Sequence, residues 1–249
     1  MRLQFDILRM DRDRREPYHQ FIPYETEDER ETVATALTAI NADPNAVDAD
    51  GRPVEKIIWE CSCLQKKCGA CAMRINGLPG LACDAKLKDL IGADTRQKSR
   101  TSAEKKESVV TLEPLGKFPV IADLMVDRSI MYQNLEQIGV WLRDDANLTE
   151  ERYELAYEGS RCLQCGCCLE VCPNFYAGGT FAGTAGFVPT VRLISELSGK
   201  ERREVKRAYR KHIYNGCGKS LACRNVCPAG LDIEDLLVNS NAIAVWKRN

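Results

Sequence analysis

The sequence predicts an α+β protein with two domains: a small mixed β-sheet with one helix, followed by an all-α region. Polar and apolar residues alternate in the first half of the chain, whereas apolar residues recur at helical spacing in the second half. A proline-containing stretch at residues 113–119 interrupts both patterns. We therefore place the domains at residues 1–115 and 116–249.

The first strand is predicted from Leu3, Phe5 and Ile7, which alternate with polar residues as in a half-buried strand. Asn76-Gly77, which follows the short apolar segment AMRI, is the strongest short-range signal of a β-hairpin. Further strands are predicted at residues 19–24, 57–59 and 109–112, and one helix at residues 31–41.

In the second half, helices are predicted at residues 129–143, 149–161, 189–197, 201–214 and 233–246. The glycine-rich stretch at residues 178–186 has Phe181 where a dinucleotide-binding motif needs its second glycine, so we interpret it as a tight turn between helices. The charged run at residues 200–212 is interpreted as the solvated face of a helix.

Composition limits the partners of this chain. Its 35 basic and 36 acidic residues offer no electrostatic footprint for nucleic acid, and no apolar run approaches the length of a bilayer span. Charges at residues 9–15 fall where a signal peptide would be apolar. We expect a protein on the cytoplasmic side with no transmembrane segment of its own.

Thirteen cysteines, in three groups, are the most informative feature of the sequence. Disulfide frameworks belong to small secreted chains, and an odd cysteine count argues against one. Ligation of metal by thiolates is the better interpretation. The groups are Cys61, Cys63, Cys68, Cys71 and Cys83; Cys162, Cys165, Cys167, Cys168 and Cys172; and Cys217, Cys223 and Cys227.

The first group has the spacing of a plant-type 2Fe-2S ferredoxin. Cys63, Cys68 and Cys71 form C-x4-C-x2-C, and Cys83 follows across the predicted hairpin. A tetrahedral zinc site is the alternative, since four thiolates can also bind zinc. Cys61 is one thiol too many: it is either a bystander or an exchange partner of Cys63.

The second group follows the bacterial ferredoxin pattern C-x2-C-x2-C-x3-C-P, whose fourth cysteine serves the other cluster in two-cluster proteins. The third group repeats this pattern with Ser220 in place of the second cysteine. Crossing the ligands assigns Cys162, Cys165, Cys168 and Cys227 to a 4Fe-4S cluster, and Cys172, Cys217 and Cys223 to a 3Fe-4S cluster. Cys167 is left over.

A 3Fe-4S cluster suits the second of these sites because Ser220 offers no soft ligand for a fourth iron. Nothing in the sequence stands out as a Ser-His-Asp set or a catalytic carboxylate pair. The two histidines, His19 and His212, are distant in sequence from the cysteines and are interpreted as surface or packing residues. We therefore expect electron transfer without bond chemistry on this chain.

These motifs resemble the iron-sulfur subunit of succinate dehydrogenase and fumarate reductase, in the same order and over nearly the whole chain. The resemblance is carried by CLQKKCGAC with Cys83, the linker LEPLGKFPVIADLMVD, and the runs CLQCGCCLEVCP and CGKSLACRNVCP. It implies an amino-terminal β-grasp, plant-type ferredoxin-like domain and a helical, bacterial ferredoxin-like domain.

The resemblance also implies partners. A flavoprotein subunit would oxidise succinate or reduce fumarate, and this chain would connect its FAD to quinone in a membrane anchor through the 2Fe-2S, 4Fe-4S and 3Fe-4S clusters in that order. The chain would then lie peripherally on the cytoplasmic face of the inner membrane.

Three positions depart from ubiquinone-linked relatives, which have a histidine after the first cysteine of the third group and tryptophans after the C-P of the second. Here these positions hold Gly218, Tyr176 and Ala177. Menaquinone, a quinone site wholly within the anchor, or another acceptor remain open, and Tyr176 is the candidate residue for a quinone pocket. Alternatives for the whole chain are an iron-sulfur subunit of another flavoprotein oxidoreductase with a different acceptor, and a zinc-stapled interaction protein.

Overall fold

The computed structural model describes residues 1–10, 16–91, 108–141 and 145–246. The chain forms two compact units. The first comprises Met1–Gly116 and Val120–Val126, and the second comprises Lys117–Pro119 and Asp127–Asn249. In the part of the chain that is described, no helix is long and apolar enough to cross a membrane.

The first unit is built on a five-stranded mixed sheet in the order β2-β1-β5-β3-β4. Strand β1 pairs antiparallel with β2 and parallel with β5, and β3 pairs antiparallel with β4 and β5. The elements are β1 (Arg2–Met10), β2 (Pro17–Glu25), α1 (Val33–Ala42), β3 (Ala72–Ile75), β4 (Leu78–Leu81), α2 (Leu87–Ile91) and β5 (Ser108–Glu113).

The alternation in β1 places Leu3, Phe5 and Ile7 in the core, as predicted. Asn76 and Gly77 adopt left-handed conformations at φ 49° and 78° and join β3 to β4, which confirms the predicted hairpin. Helix α1 begins after Thr32, whose hydroxyl accepts from the Thr35 amide in a capping box.

The alternation of buried and less buried residues in β1 extends to Arg9, a charged residue that is buried as well. Its Nε lies 3.1 Å from Asp123 Oδ1, and its Nη1 donates to Gln20 Oε1 at 2.6 Å. Asp123 also accepts hydrogen bonds from the Met10 and Ile58 amides at 3.0 and 2.8 Å. This carboxylate therefore joins the hairpin β6 (Val120–Ala122) and β7 (Met125–Val126), which the sequence did not predict, to β1.

The prediction of a strand at residues 57–59 is wrong. The Ile57 amide donates to Asn41 Oδ1 at 2.8 Å, and the Ile58 amide donates to Asp123 Oδ2. Side chains accept from these amides in place of a neighbouring strand, and the apolar run belongs to no sheet.

The described secondary structure of the second unit is helical. It comprises α3 (Ser129–Ile138), α4 (Glu150–Ser160), α5 (Cys167–Glu170), α6 (Gly183–Glu196), α7 (Gly199–His212) and α8 (Ile233–Asn241), with 3-10 turns at Tyr214–Gly216 and Ala222–Val226 and a π turn at Ala242–Trp246. Their apolar faces form one core that includes Phe187, Val191, Tyr209 and Leu236. Of the helix predicted at 129–143, residues 142 and 143 lie outside the described residues.

The helix predicted from residue 189 begins earlier, at Gly183, so the second half of the glycine-rich stretch is helix and not a turn. Close packing explains these glycines. Gly183 has φ 59°, and a Cβ there would lie 2.4 Å from Leu169 Cδ2. On α4, a Cβ at Gly159 would lie 3.1 Å from Val188 O of α6, so glycine lets these two helices approach closely.

Candidate metal centres

The thiols of Cys63, Cys68 and Cys71 lie on a loop that leads into β3, and that of Cys83 follows β4. The loop curls because Leu64, Lys66 and Gly69 adopt left-handed conformations. Four of its backbone amides thereby point at sulfur atoms: Gln65 and Lys67 donate to Cys63 Sγ at 3.3 and 3.4 Å, Lys66 to Cys83 Sγ at 3.3 Å, and Ala70 to Cys68 Sγ at 3.5 Å.

The four thiols of this site contact one another in pairs. Cys63 is hydrogen-bonded to Cys68, and Cys71 is hydrogen-bonded to Cys83. The amides of Gln65 and Lys67 lower the pKa of the Cys63 thiol to about 7, whereas burial raises the pKa of Cys71 to about 12. Two pairs of thiols are the donor set that the two irons of a 2Fe-2S cluster need.

A second group of thiols lines a cavity in the helical unit: Cys162, Cys165, Cys168 and Cys227. The first three belong to the second cysteine group, and Cys227 comes from the third. Burial raises the pKa of Cys162 to about 11 and that of Cys168 well above its ordinary value, and the neighbouring thiols, Cys227 included, act in the same direction. The structure thus brings together the four residues predicted for the 4Fe-4S cluster.

A third group of thiols lines a separate cavity: Cys172, Cys217 and Cys223. Ser220 lines the same cavity, with apolar walls from Phe181, Phe187 and Ile213. Burial raises the pKa of Cys223, and interactions with Cys172 and Cys217 add to that effect. These are the three residues predicted for the 3Fe-4S cluster, and one of them, Cys172, belongs to the second cysteine group in sequence.

The backbone shows that the second and third cysteine groups are structural repeats. Gln164 and Gly166 have positive φ angles of 51° and 87°, two and four residues after Cys162. Lys219 and Leu221 have φ angles of 57° and 55° at the same offsets from Cys217. The equivalence places Ser220 where the second group has Cys165.

Within the described ranges, no three histidine, cysteine, aspartate or glutamate side chains are arranged to hold a single metal ion. In 4Fe-4S and 3Fe-4S clusters each thiolate binds a different iron, and in a 2Fe-2S cluster each iron takes only two, so the thiols of a cluster site as a whole do not converge on one ion. Among the described residues, the two thiol-lined cavities of the helical unit offer only thiols as soft donors, the ligand type that iron-sulfur clusters require.

The two spare cysteines differ. Cys61 is exposed, whereas Cys167 is fully buried. A hydrogen bond from the Cys167 thiol lowers the pKa of Cys165 to about 7, and the same contact with burial raises the pKa of Cys167. The sequence could not reveal this contact because it depends on the left-handed turn at Gly166.

Tyr176 is 67% exposed and is not among the residues that line either of the two thiol-lined cavities. Gly218 does line the third site, where a Cβ would lie 2.9 Å from Asn174 Oδ1. The histidines bond elsewhere: His19 Nδ1 lies 2.7 Å from Asp6 Oδ1, and His212 Nδ1 lies 3.1 Å from Thr180 O.

Sequence reasoning missed three residues that support the thiol sites. Lys117 Nζ donates to the carbonyls of Cys172 and Phe175. Arg161 Nη2 donates to Ala229 O at 3.1 Å, which joins the segments flanking Cys162 and Cys227. Gln164 Nε2 donates to Cys162 Sγ at 3.1 Å. Only the position of Gln164 between two ligands could have signalled a role.

Comparisons with known proteins indicate an iron-sulfur domain in each half of the chain. Residues 4–133 match a family model described as a 2Fe-2S iron-sulfur cluster binding domain, and residues 158–231 match one described as a 4Fe-4S dicluster domain. The succinate dehydrogenase iron-sulfur subunit of Bacillus subtilis is 32% identical over 244 residues, covering 93% of this chain and 88% of that protein.

The fumarate reductase iron-sulfur subunit of Wolinella succinogenes is 31% identical over 182 residues, covering 67% of this chain and 69% of that protein. Among solved structures, a chain of the Mycobacterium smegmatis Sdh1 complex in the apo form has a TM-score of 0.71 at 22% identity, covering 100% of this chain and 98% of that one, which shows a shared fold. The chain therefore belongs to the family of succinate dehydrogenase and fumarate reductase iron-sulfur subunits.

Proposed function

We propose that this chain is the electron-transfer subunit of a succinate dehydrogenase or fumarate reductase complex, and that it carries electrons between the FAD of a flavoprotein subunit and quinone at a membrane anchor. The proposed ligands are Cys63, Cys68, Cys71 and Cys83 for the 2Fe-2S cluster; Cys162, Cys165, Cys168 and Cys227 for the 4Fe-4S cluster; and Cys172, Cys217 and Cys223 for the 3Fe-4S cluster.

The observation that carries this proposal is the exchange of thiols in the helical unit. Cys227 lines the cavity of the second cysteine group, and Cys172 lines the cavity of the third. Two-cluster ferredoxins have this crossed arrangement. In a zinc-stapled interaction protein the thiols of each site would converge on one ion. The exchange of thiols between the two sites, one of which has only three thiols, favours clusters instead.

Bound iron-sulfur clusters supply one-electron redox centres. The residues of the chain set the surroundings of those centres. The loop amides donate to the sulfurs of Cys63 and Cys83, which stabilises negative charge there. Apolar walls such as Phe187 and Ile213 exclude water from the third site, and burial of this kind is one of the factors that set a reduction potential.

Finer features of the fold are part of the proposal. The strand order β2-β1-β5-β3-β4 supports a β-grasp first domain, and the repeated cysteine segments support a bacterial ferredoxin-like second domain. The change of compact unit after Gly116 supports domains at 1–115 and 116–249, although residues 120–126 lie with the first unit. We place the chain peripherally, on the cytoplasmic face of the inner membrane.

Purification of the native complex tests this function. We expect a flavoprotein subunit to co-purify, and succinate to reduce the clusters in electron paramagnetic resonance spectra, with 2Fe-2S, 4Fe-4S and 3Fe-4S signals all present. If succinate does not reduce the clusters and a different flavoprotein co-purifies, the result would favour another oxidoreductase. Zinc in place of iron and sulfide would overturn the proposal entirely.

The acceptor needs its own test, since Gly218 and Ala177 replace residues of ubiquinone-linked relatives. We propose quinone as the acceptor, with Tyr176 as the residue of this chain that contributes to its pocket. Replacement of Tyr176 by alanine should weaken quinone reduction by the complex while reduction of the clusters by succinate stays unchanged. Equal quinone reduction by both proteins would place the pocket elsewhere.

A further inference from the structure

Gln164 lies between the first two cysteines of the second group and lines the cavity formed by Cys162, Cys165, Cys168 and Cys227. Its Nε2 donates to Cys162 Sγ at 3.1 Å and to Ala185 O at 2.9 Å. A side-chain amide nitrogen has two N–H groups, so this geometry uses both. Because a carbonyl oxygen can only accept, the nitrogen of the amide must face Ala185, and this fixes its orientation.

The carbonyl of Ala185 is available because of a proline. In an α-helix the carbonyl of residue 185 would accept a hydrogen bond from the amide of residue 189. Residue 189 is Pro189, which lies inside α6 and has no N–H. Helix α6 therefore presents an open carbonyl, and the Gln164 side chain occupies it.

Packing alone does not explain a glutamine at this position. Its Oε1 is buried and has no hydrogen-bond partner among the described residues, and an unpaired buried acceptor is unfavourable. The cavity also has apolar walls from Val188 and Leu231. Leucine adopts the same left-handed conformation at Leu64 and Leu221, so the backbone at residue 164 does not exclude an apolar side chain.

We propose that Pro189 and Gln164 together raise the reduction potential of the cluster bound at the second site. Pro189 leaves the Ala185 carbonyl open, that carbonyl anchors the amide of Gln164, and the anchored amide donates to the sulfur of Cys162. Hydrogen bonds to ligand sulfurs stabilise the more negative, reduced state. Gln164 is thus a positioning residue that acts through Cys162, and the inference rests on the proposed function because it takes Cys162 as a cluster ligand.

The equivalent residue of the third cysteine group provides a control. Lys219 has nearly the same φ angle as Gln164, but its ammonium lies 5.0 Å from the centroid of the Tyr214 ring. Lys219→Met replaces the side chain at the matching backbone position with an uncharged side chain that is also unbranched. It should leave the potential of the second cluster unchanged.

The test is a redox titration of the purified complex, monitored by electron paramagnetic resonance. Gln164→Leu should lower the equilibrium constant for reduction of the second cluster about tenfold, which corresponds to about 59 mV for one electron. The 2Fe-2S potential should not move. Pro189→Ala supplies an amide to the Ala185 carbonyl, and this amide competes with Gln164. The variant should lower the same equilibrium constant for reduction about threefold.

The double variant Gln164→Leu, Pro189→Ala shows whether the two residues act as one unit. If Pro189 acts through Gln164, the double variant should have the potential of Gln164→Leu alone. Additive shifts would mean that Pro189 acts independently, and would overturn the coupled arrangement.

The outcomes separate this inference from the proposed function. A native complex without a 4Fe-4S signal would overturn both, whereas a native signal with the same potential in Gln164→Leu would overturn the inference alone. Where Gln164→Leu fails to bind the cluster, Gln164→Asn and Pro189→Ala provide the measurement, since the asparagine amide is one methylene too short to reach both acceptors. Unchanged potentials in these two variants would also overturn the inference.

Discussion

The thiol sites of the two units are assembled in different ways. In the first unit three thiols lie on one short loop and the fourth follows one hairpin, with backbone amides of that loop directed at the sulfurs. In the second unit each of the two thiol-lined cavities takes thiols from two distant segments, and the walls include apolar side chains of several helices. The first site is a local structure, whereas the other two depend on the tertiary fold of their unit.

This difference predicts which substitutions should affect one cluster and which should affect two. A change in the loop of the first unit should affect its own cluster. A change in either cysteine group of the second unit should affect both sites, because Cys172 and Cys227 each connect the two groups.

The largest expected effect is that of Cys227→Ala. This variant should lose the 4Fe-4S signal in electron paramagnetic resonance spectra, although the residue belongs to the third cysteine group, because its thiol lines the second cavity. The 3Fe-4S signal should weaken, since the segment between Cys223 and Cys227 supplies both sites, and the 2Fe-2S signal should persist.

Cys61→Ala is the matched control for this variant. Cys61 is an exposed cysteine beside the first site, so all three signals should remain after its removal. Retention of the 4Fe-4S signal in Cys227→Ala, with loss of the 3Fe-4S signal, would show that the ligands are not crossed.

The next effect is a change of cluster type. Ser220 occupies the position in the third group that Cys165 occupies in the second, and it lines the three-thiol cavity. Ser220→Cys should supply a fourth thiolate and convert the 3Fe-4S cluster to 4Fe-4S. Loss of the 3Fe-4S resonance and appearance of a second 4Fe-4S signal measures this, and an unchanged 3Fe-4S resonance would contradict the assignment.

The contrast between the units also explains what the sequence could predict. Cysteine spacing is a local property, and the crossing rule of two-cluster ferredoxins extends it to distant ligands, so the cysteines that the two thiol-lined cavities bring together could all be predicted from the sequence. The beginning of α6 was predicted poorly because Gly183 and Gly186 resemble turn residues, and only packing contacts, such as that of Gly183 with Leu169, show why glycine is needed there. The hydrogen bonds of Gln164 and Lys117 depend on tertiary contacts that leave no periodic signal.

Buried charge gives a third, smaller effect that is confined to the first unit. The side chains of Arg9 and Asp123 are 3% and 2% exposed. Asp123→Asn leaves the Arg9 charge without its counter-charge, and this should lower the free energy of unfolding by about 3 kcal/mol. Asparagine is chosen because residue 123 has a positive φ of 43°, which asparagine tolerates.

Chemical denaturation followed by visible circular dichroism of the 2Fe-2S cluster measures this loss. Glu25→Ala is the control, since the Arg2–Glu25 pair is exposed at 74% and 62% and should contribute less than about 1 kcal/mol. The signals of the helical sites should be the same in both variants. Loss of those signals in Asp123→Asn would mean that the units do not respond separately.

The smallest expected effect is at the connection between the second and third cysteine groups. Arg161 directly precedes Cys162, and its Nη2 donates to the carbonyl of Ala229, two residues beyond Cys227. This charged hydrogen bond joins the two segments that supply one cluster site, and its loss should cost about 1 kcal/mol. Arg161→Met should therefore make the 4Fe-4S cluster about fivefold easier to lose to an iron chelator.

Arg224→Met is the matched control for Arg161→Met. Arg224 also lies beside a proposed ligand, Cys223, but its guanidinium pairs with Glu234 of α8 at 2.5 Å and does not contact the second cysteine group in that pair. Both variants remove one positive charge, so a purely electrostatic effect on the cluster would appear in each. A faster loss in Arg161→Met alone means that the connection between segments stabilises the crossed site, whereas equal rates would mean that the cavity is held by its thiols and apolar walls without this hydrogen bond.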